Sequence, residues 1–387
     1  MSRICIPEYE YAERIKKAAK AVADAGLDVM IVNSTESDYA DVRYFSGFWP
    51  LFERAGVAIA ANGDAALMCG PESVIFSADV SRIQKIYPSL NYRESANPAY
   101  PEFKSNSYRD TFKGIGVTGD HIKIGISGYL TTTAVMMDAL RADYPNAEIR
   151  IVDEIMVGLR QIKSENELAC LREGYRIAEI ATKAVMEKLR PGVTELAMVG
   201  IAQQAIYENG AEYEGLPMYV FSEKSTSHAI SRPGYRVIND GDLVQLNLSA
   251  KIDGYSSAVG IPVCVGKMSA EKRRYVEFCL QAHDWTTAQL KAGILASDVA
   301  KGFYNLYKEN GYESNYVYGP CHGTGLIEVE APWMETSSDY ILKPNMTFQV
   351  DTFLSAPGYG MRWEKGIVIR ENGCESMCAP IGTIYEL

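Results

Sequence analysis

The sequence predicts an α/β N-terminal domain followed by an α+β C-terminal domain. Three observations carry this reading. The chain has 387 residues, more than one small core accommodates and enough for two domains. Up to residue 157, helical and strand-like runs alternate, as in an α/β layer. From residue 158 onward, long helical runs stand beside long strand-like runs, as in an α+β domain. The expected domains are therefore 1–157 and 158–387.

The elements can be justified in order. Residues 8–26 show helical periodicity that stops at Gly26, where a C-terminal cap is expected. Leu27–Asn33 reads as a buried strand, and Val57–Leu67 as a hairpin around Asn62-Gly63. Residues 86–120 show no clear period and receive no assignment. Ile122–Ser127 and Glu148–Val152 read as short strands, with a helix over Thr131–Tyr144 between them. In Ser164–Leu189 apolar side chains recur at Leu168, Leu171, Tyr175, Ala178, Ala181 and Val185, a core-facing stripe. Ser164 with Glu167 forms a capping box at its start. Pro191-Gly192 ends this helix, and Thr194 begins another that runs to Asn209. Leu243–Val265 follows as two amphipathic strand-like runs around the turn Asp253-Gly254. Helices over Ala270–Ala292 and Val299–Asn310 precede a strand-rich end.

Composition excludes several function classes. A formal net charge of −11, with no offsetting block of Lys or Arg, argues against a nucleic-acid surface. No apolar run approaches the ~18 residues of a membrane-spanning helix. The N-terminus lacks the apolar core of a signal peptide. Eight cysteines scattered through apolar runs suggest reduced thiols in a cytoplasmic protein. Cys374 and Cys378 are close in sequence but match no common zinc pattern.

Five segments, in order, carry a resemblance: Tyr44-Phe45-Ser46-Gly47-Phe48, the run Gln161–Glu167, Arg190–Glu195, Leu243–Val265 and His322–Leu326. Together they resemble the creatinase / aminopeptidase P / prolidase family over nearly the whole chain. The resemblance implies a C-terminal pita-bread domain, two pseudo-symmetric halves about a curved antiparallel sheet. Peptidases of that family hold a pair of divalent ions with Asp, Asp, His, Glu and Glu. On this chain those positions read Asn247, Ala258, His322, Asp351 and Glu364. An amide and a methyl cannot replace two carboxylates as ligands for hard cations. Two dications there would leave roughly two positive charges without a protein partner. The expected site therefore holds no metal and no cofactor.

Creatinase, the family's metal-free member, is similar at the same two positions. Phe52-Glu53-Arg54 resembles its Phe-x-Arg, the arginine that a partner subunit sends to the substrate carboxylate. His228 falls on its proton-transfer histidine. Creatinase's Glu-Arg pair two residues past the alanine is absent here, where Gly260-Ile261 stands, so creatine is not the expected substrate. Val329 replaces a histidine common in the peptidases, while Glu330 and Pro332 remain.

The expected roles follow. His228, with an imidazole near neutrality, moves the proton. Asp351 and Glu364 act with it as catalytic carboxylates, stabilising positive charge or orienting water. Arg54 and Phe52 from a partner chain, with His322, Asn247, Glu330 and Arg362, bind the substrate. Arg362, two residues from Glu364 on one strand face, is the expected ion-pair partner of Glu364. Cys321 adjoins His322 but points to the opposite face, and His121 and His283 read as structural. The implied function is metal-independent hydrolysis of a C–N bond (amidine, ureido or amide) in a small carboxylate-bearing substrate, by a cytoplasmic homodimer. Two alternatives stand beside it. One is an Xaa-Pro dipeptidase- or aminopeptidase-like metallohydrolase with a single ion at His322, Asp351 and Glu364. The other is an inactive homologue retained as a binding protein.

Overall fold

A computed structural model describes residues 3–387. Its contacts divide into two units, residues 6–160 and residues 161–387, the second including the N-terminal residues up to Cys5.

The first unit runs α1 (Glu8–Asp24), β1 (Val29–Ser34), α2 (Ala40–Ser46), β2 (Ala55–Ala60), β3 (Ala65–Cys69), α3 (Val74–Val80), β4 (Ile86–Pro88), α4 (Tyr108–Gly114), β5 (Lys123–Ser127), α5 (Ala134–Asp143), β6 (Glu148–Ile151) and α6 (Asp153–Arg160). Its six strands form one sheet in the order β4-β3-β2-β1-β5-β6. The β1–β2 and β2–β3 pairs are antiparallel, and the three outer joins are parallel. Parallel joins require crossovers, which is where the helices lie. Val29, Ile31, Met68, Ile124 and Ile126 pack with Phe112, Met136 and Leu140 in one apolar cluster.

The stretch 86–120 that showed no period holds β4, a 3-10 turn at Leu90–Tyr92, and α4. These elements are too short for periodicity to register. They are fixed instead by polar contacts: buried Tyr92 donates to Asn33 Oδ1 at 3.0 Å, and Ser107 with Asp110 makes a capping box. The helix expected from Thr131 begins only at Ala134, because the Thr133 hydroxyl caps Met136 N–H and a 3-10 turn, Tyr129–Thr131, precedes it.

The second unit runs α7 (Glu165–Met186), α8 (Glu195–Glu208), β7 (Tyr219–Ser222), β8 (Leu243–Ile252), β9 (Tyr255–Cys264), α9 (Ala270–Gln289), α10 (Ala296–Glu309), β10 (Cys321–Gly323), β11 (Glu330–Met334), β12 (Thr347–Ala356), β13 (Tyr359–Arg370), β14 (Gly373–Ser376) and β15 (Tyr385–Glu386). The capping box at Ser164 forms as the sequence predicts. The main sheet path is β11-β10-β12-β13-β9-β8-β7, with β14 on β13 and β15 on β9. Asp253 and Gly254 join β8 to β9 with φ of +47° and +91°, the left-handed pair a two-residue hairpin turn requires. Both strands were expected to be amphipathic, yet every residue in them is buried. Helix α7 crosses them so closely that a Cβ on Gly174 would lie 2.9 Å from Ser257 Oγ. Among the described residues, no helix is long and apolar enough to cross a membrane.

Candidate active site

Strand register assembles the site. Asn247 on β8 stands opposite Gly260 on β9, Gly260 opposite Glu364 on β13, and Glu364 opposite Asp351 on β12. On β10, His322 is paired with Gln349, two residues before Asp351. Residues directly opposite share a face, so these side chains form a row across one face of the sheet. The alternate positions Cys321, Phe348, Val350, Ile367 and Ile369 join Val299 and Ala300 in an apolar cluster behind it. Cys321 belongs to that cluster, and burial pushes its thiol well above the ordinary range. A nucleophilic role there is excluded by both position and protonation.

The polar row is buried and tightly bonded. Asn247, His322, Asp351 and Glu364 are all nearly sealed from solvent. The Asn247 amide is fixed at both ends: its oxygen accepts from Gln245 Nε2 at 2.8 Å, and its nitrogen donates to Glu364. Gly260 is required where three strands converge on this pair. A Cβ there would lie 2.6 Å from Asn247 Nδ2 and 2.7 Å from Glu364 Cβ. The missing Glu-Arg pair therefore has a steric counterpart, since no larger side chain fits at position 260 without displacing Asn247.

Glu328 joins the row, and sequence reading passed over it. It sits in the bends between β10 and β11, buried, with its neighbour Val329 exposed. Its Oε1 accepts from Gln349 Nε2 at 2.9 Å and lies 3.9 Å from His322 Nε2. Gln349 is held in turn by Tyr175, whose hydroxyl donates to its oxygen at 3.0 Å. Burial, then the Glu328 and Asp351 carboxylates, push Glu364 well above the usual carboxylate range, and Glu328 shares a hydrogen bond with it. One ligand atom each from His322, Glu328 and Glu364 lies within 4.8 Å of the others. A signal was present in the sequence: an acid inside the otherwise apolar run Leu326–Val329.

Several expected roles change. Arg362 pairs not with Glu364 but with Asp351, Nε to Oδ1 at 2.8 Å. Tyr318 completes that group, donating to Asp351 Oδ2 at 2.8 Å and accepting from Arg362 at 2.6 Å. The two residues face each other across the β12–β13 ladder on neighbouring rungs, where a long guanidinium reaches a diagonal carboxylate more easily than one along its own strand. Asp351 is thus held by Arg362 and Tyr318, and its other neighbour, His322 Nε2, is 4.0 Å away. Glu330, expected to bind substrate, forms a buried ion pair with Lys163 at 2.7 Å. Its carboxylate also sits where a Cβ on Gly325 would collide with it at 2.3 Å, so it braces the turn after His322.

His228 is exposed at the end of the 3-10 turn Glu223–Ser227, and its Nδ1 lies 3.1 Å from Ser231 Oγ. The next residue bonds to the site: Ala229 O accepts from Arg362 at 3.0 Å. Phe52 and Arg54 lie in the other unit. Phe52 is 74% exposed at φ +59°, held in a tight turn by Glu53 N–H to Leu51 O at 2.6 Å. Arg54 has one long bond, to Arg93 O at 3.4 Å, and its Nε has no hydrogen-bond partner.

Residues 14–162 match the creatinase/prolidase N-terminal domain, and residues 169–371 match metallopeptidase family M24. The chain belongs to metallopeptidase family M24. As an M24 member it is a hydrolase acting on C–N bonds, and its second unit is the pita-bread domain. The Xaa-Pro dipeptidase of Pyrococcus furiosus is 23% identical over 366 residues, covering 94% of this chain and 97% of that protein. Creatinase from a Bacillus species is 23% identical over 397 residues, covering 95% and 90%. The solved X-Pro aminopeptidase of Thermotoga maritima superposes with a TM-score of 0.82 at 19% identity, covering 96% and 99%. That structural likeness speaks for the fold alone.

The donor set decides how much of the M24 metal centre fits. A second ion would need carboxylates where Asn247 turns an N–H toward Glu364 and where Ala258 offers a methyl. It does not fit. One ion does, because an imidazole and two carboxylates that hydrogen-bond each other converge within 4.8 Å, a three-ligand set of the kind a single ion takes. The expectation of metal independence finds no support in this cluster or in the family. The expected ligand set of His322, Asp351 and Glu364 is also revised, with Glu328 in place of Asp351.

Proposed function

We propose that this M24 hydrolase cleaves the C–N bond of a small carboxylate-bearing substrate with a single divalent ion, held by His322, Glu328 and Glu364. The observation that carries this reading is the convergence of those three ligand atoms within 4.8 Å. Three buried carboxyl groups, Glu328, Asp351 and Glu364, stand beside one guanidinium, Arg362, and a cation would take the place of the proton that the Glu328–Glu364 contact favours. The ion, when bound, supplies Lewis acidity and lowers the pKa of water near it.

The chain's own residues do the rest. Asn247, held by Gln245, donates to Glu364 and keeps that carboxylate turned toward His322. Asp351 fixes Arg362, which in turn holds the main chain beside His228 at Ala229. His228 takes a proton from the water whose oxygen adds to the carbonyl carbon, and as the C–N bond breaks it delivers that proton to the leaving nitrogen. Arg54, whose guanidinium is poorly satisfied within its own unit, receives the substrate carboxylate across a homodimer, where its planar fork suits both oxygens. Exposed Phe52, beside it, belongs to the same contact. Cytoplasmic residence is part of this reading.

The relatives named Xaa-Pro dipeptidase make Xaa-Pro dipeptides the first substrates to try. Turnover abolished by a chelator and restored by Mn²⁺ or Co²⁺ supports the reading. Chelator-insensitive turnover favours the second reading, a metal-free amidine or ureido hydrolase in which the same acids hold a cationic substrate. Its specific support is the Asn247/Ala258 pair together with His228.

A further inference from the structure

One buried carboxylate outside the acid row has four hydrogen bonds and, among the described residues, no direct ion pair. Glu195 is the first residue of α8 and is 1% exposed. Its Oε1 accepts from Ser222 N–H at 2.8 Å, from Ser222 Oγ at 2.7 Å and from Ser225 Oγ at 2.7 Å. Its Oε2 accepts from Gly234 N–H at 2.8 Å. The two oxygens therefore hold opposite ends of one segment, residues 222–234. His228 stands at its middle, six residues from each end.

The clasp is braced outside and tied inside. Arg236 donates to Ser222 Oγ at 2.6 Å and to Asp242 at 2.6 Å, so the Ser222 hydroxyl is both donor and acceptor. Towards the site, Thr226 Oγ1 accepts from Gly360 N–H at 2.9 Å, and Ala229 O accepts from Arg362. Its first half is also tied down by Glu223, which accepts from Leu243 N–H at 2.8 Å and pairs with Lys272 at 2.6 Å, whereas past His228 the chain is open, with Ile230 86% exposed. The open half of the segment is held by hydrogen bonds rather than by apolar burial, and the one that ends it goes to the buried Glu195 side chain.

We infer that Glu195 is a positioning residue for the reaction: it closes the 222–234 segment into a fixed loop and so sets where the His228 imidazole stands. This rests on the reading of His228 as the proton-transfer group. A carboxylate is required because each oxygen accepts from a backbone N–H, Oε1 from Ser222 and Oε2 from Gly234, and a glutamine NH2 in either place could not accept from it. Aspartate is one methylene too short to span both ends of the loop.

The test uses the full-length chain and no substrate. Hydrogen–deuterium exchange is measured on peptides covering 222–236, together with the imidazole C2–H resonance of His228, one of four histidines. In Glu195→Gln, exchange of those peptides should quicken about tenfold, the factor a lost charge-assisted hydrogen bond implies. The His228 resonance should shift while peptides of β12 and β13 keep their protection. Ser225→Ala, which removes one hydroxyl, should give the same pattern at smaller amplitude. A purely structural role would instead slow or quicken exchange throughout the unit and leave the His228 line in place. Unchanged exchange and an unmoved His228 line in folded Glu195→Gln would overturn the inference, as would a Ser225→Ala chain matching the wild type should the glutamine variant not fold. If His228→Ala keeps full turnover while Glu195→Gln still loosens the loop, the positioning stands and the catalytic reading of His228 falls.

Discussion

The two limbs of the curved sheet carry unequal chemistry on the same frame. On the β8–β9 limb the positions that face the pocket are Asn247, Ala258 and Gly260, none of them charged. On the β10–β13 limb they are His322, Gln349, Asp351, Arg362 and Glu364, joined by Glu328 from the adjoining bends. The central ladders do not distinguish the limbs, since β8–β9 and β12–β13 are both long antiparallel pairs with continuous register. The difference is charge, and its packing has adapted. On the neutral limb the strands have closed until Gly260 fits between Asn247 and Glu364. On the charged limb each acid has acquired its own partner: Gln349 for Glu328, Arg362 and Tyr318 for Asp351, Asn247 for Glu364. On the reading proposed above, a frame with one neutral limb still offers a ligand set for one ion.

The contrast can be broken from either side. The largest effect is expected on the charged limb. His322→Ala should lower kcat/KM on the order of 10³-fold and release the bound ion, read by turnover and metal analysis on one sample. Next comes the neutral limb, where Asn247→Asp sets a carboxylate against Glu364. Without added cation it should destabilise the protein by about 3 kcal/mol, read by urea unfolding in the presence of chelator. Adding Ala258→Asp to it should raise metal content toward two ions per chain, and a double variant that still binds one would show that more than charge was lost.

Gly260→Ala tests the closed packing. Its Cβ has nowhere to go, so a loss of about 2 kcal/mol is expected, again by urea unfolding, with metal content little changed. An effect of similar size, but seen only on acidification, belongs to the back of the sheet. His283 on α9 is fully buried, and burial, then nearby Lys365, hold its pKa down to about 3 from 6.5. The unfolded chain therefore binds a proton that the folded chain refuses between those values, so stability falls as pH drops below 6.5. His283→Leu should remove that slope, worth about 2 kcal/mol between pH 8 and pH 5, as measured by thermal or urea unfolding at both pH values.

The elements that place the site were readable because each has a local cause. The Ser164 capping box, the Asp253-Gly254 turn and the two-residue period of the long strands are written in adjacent residues. Asn247, His322, Asp351 and Glu364 were grouped by the family resemblance, and it is the strand register that sets them on one face. Long-range pairings were not readable. Arg362 has Glu364 two positions away in sequence, yet its partner, Asp351, comes from the neighbouring strand. Glu330 and Lys163 meet across 167 residues of chain. Glu328 lies in irregular bends where no period says which way a side chain points. Nothing beside Glu195 in sequence shows its bonding, because its four donors come from a loop 27 to 39 residues downstream.

The most direct test of the account is the metal content of the purified full-length protein after dialysis without chelator, compared with that of Glu328→Gln. The account predicts about one equivalent of divalent ion per chain in the wild type and near none in the variant. Metal-free protein with undiminished, chelator-insensitive turnover would contradict it, as would an ion that Glu328→Gln retains.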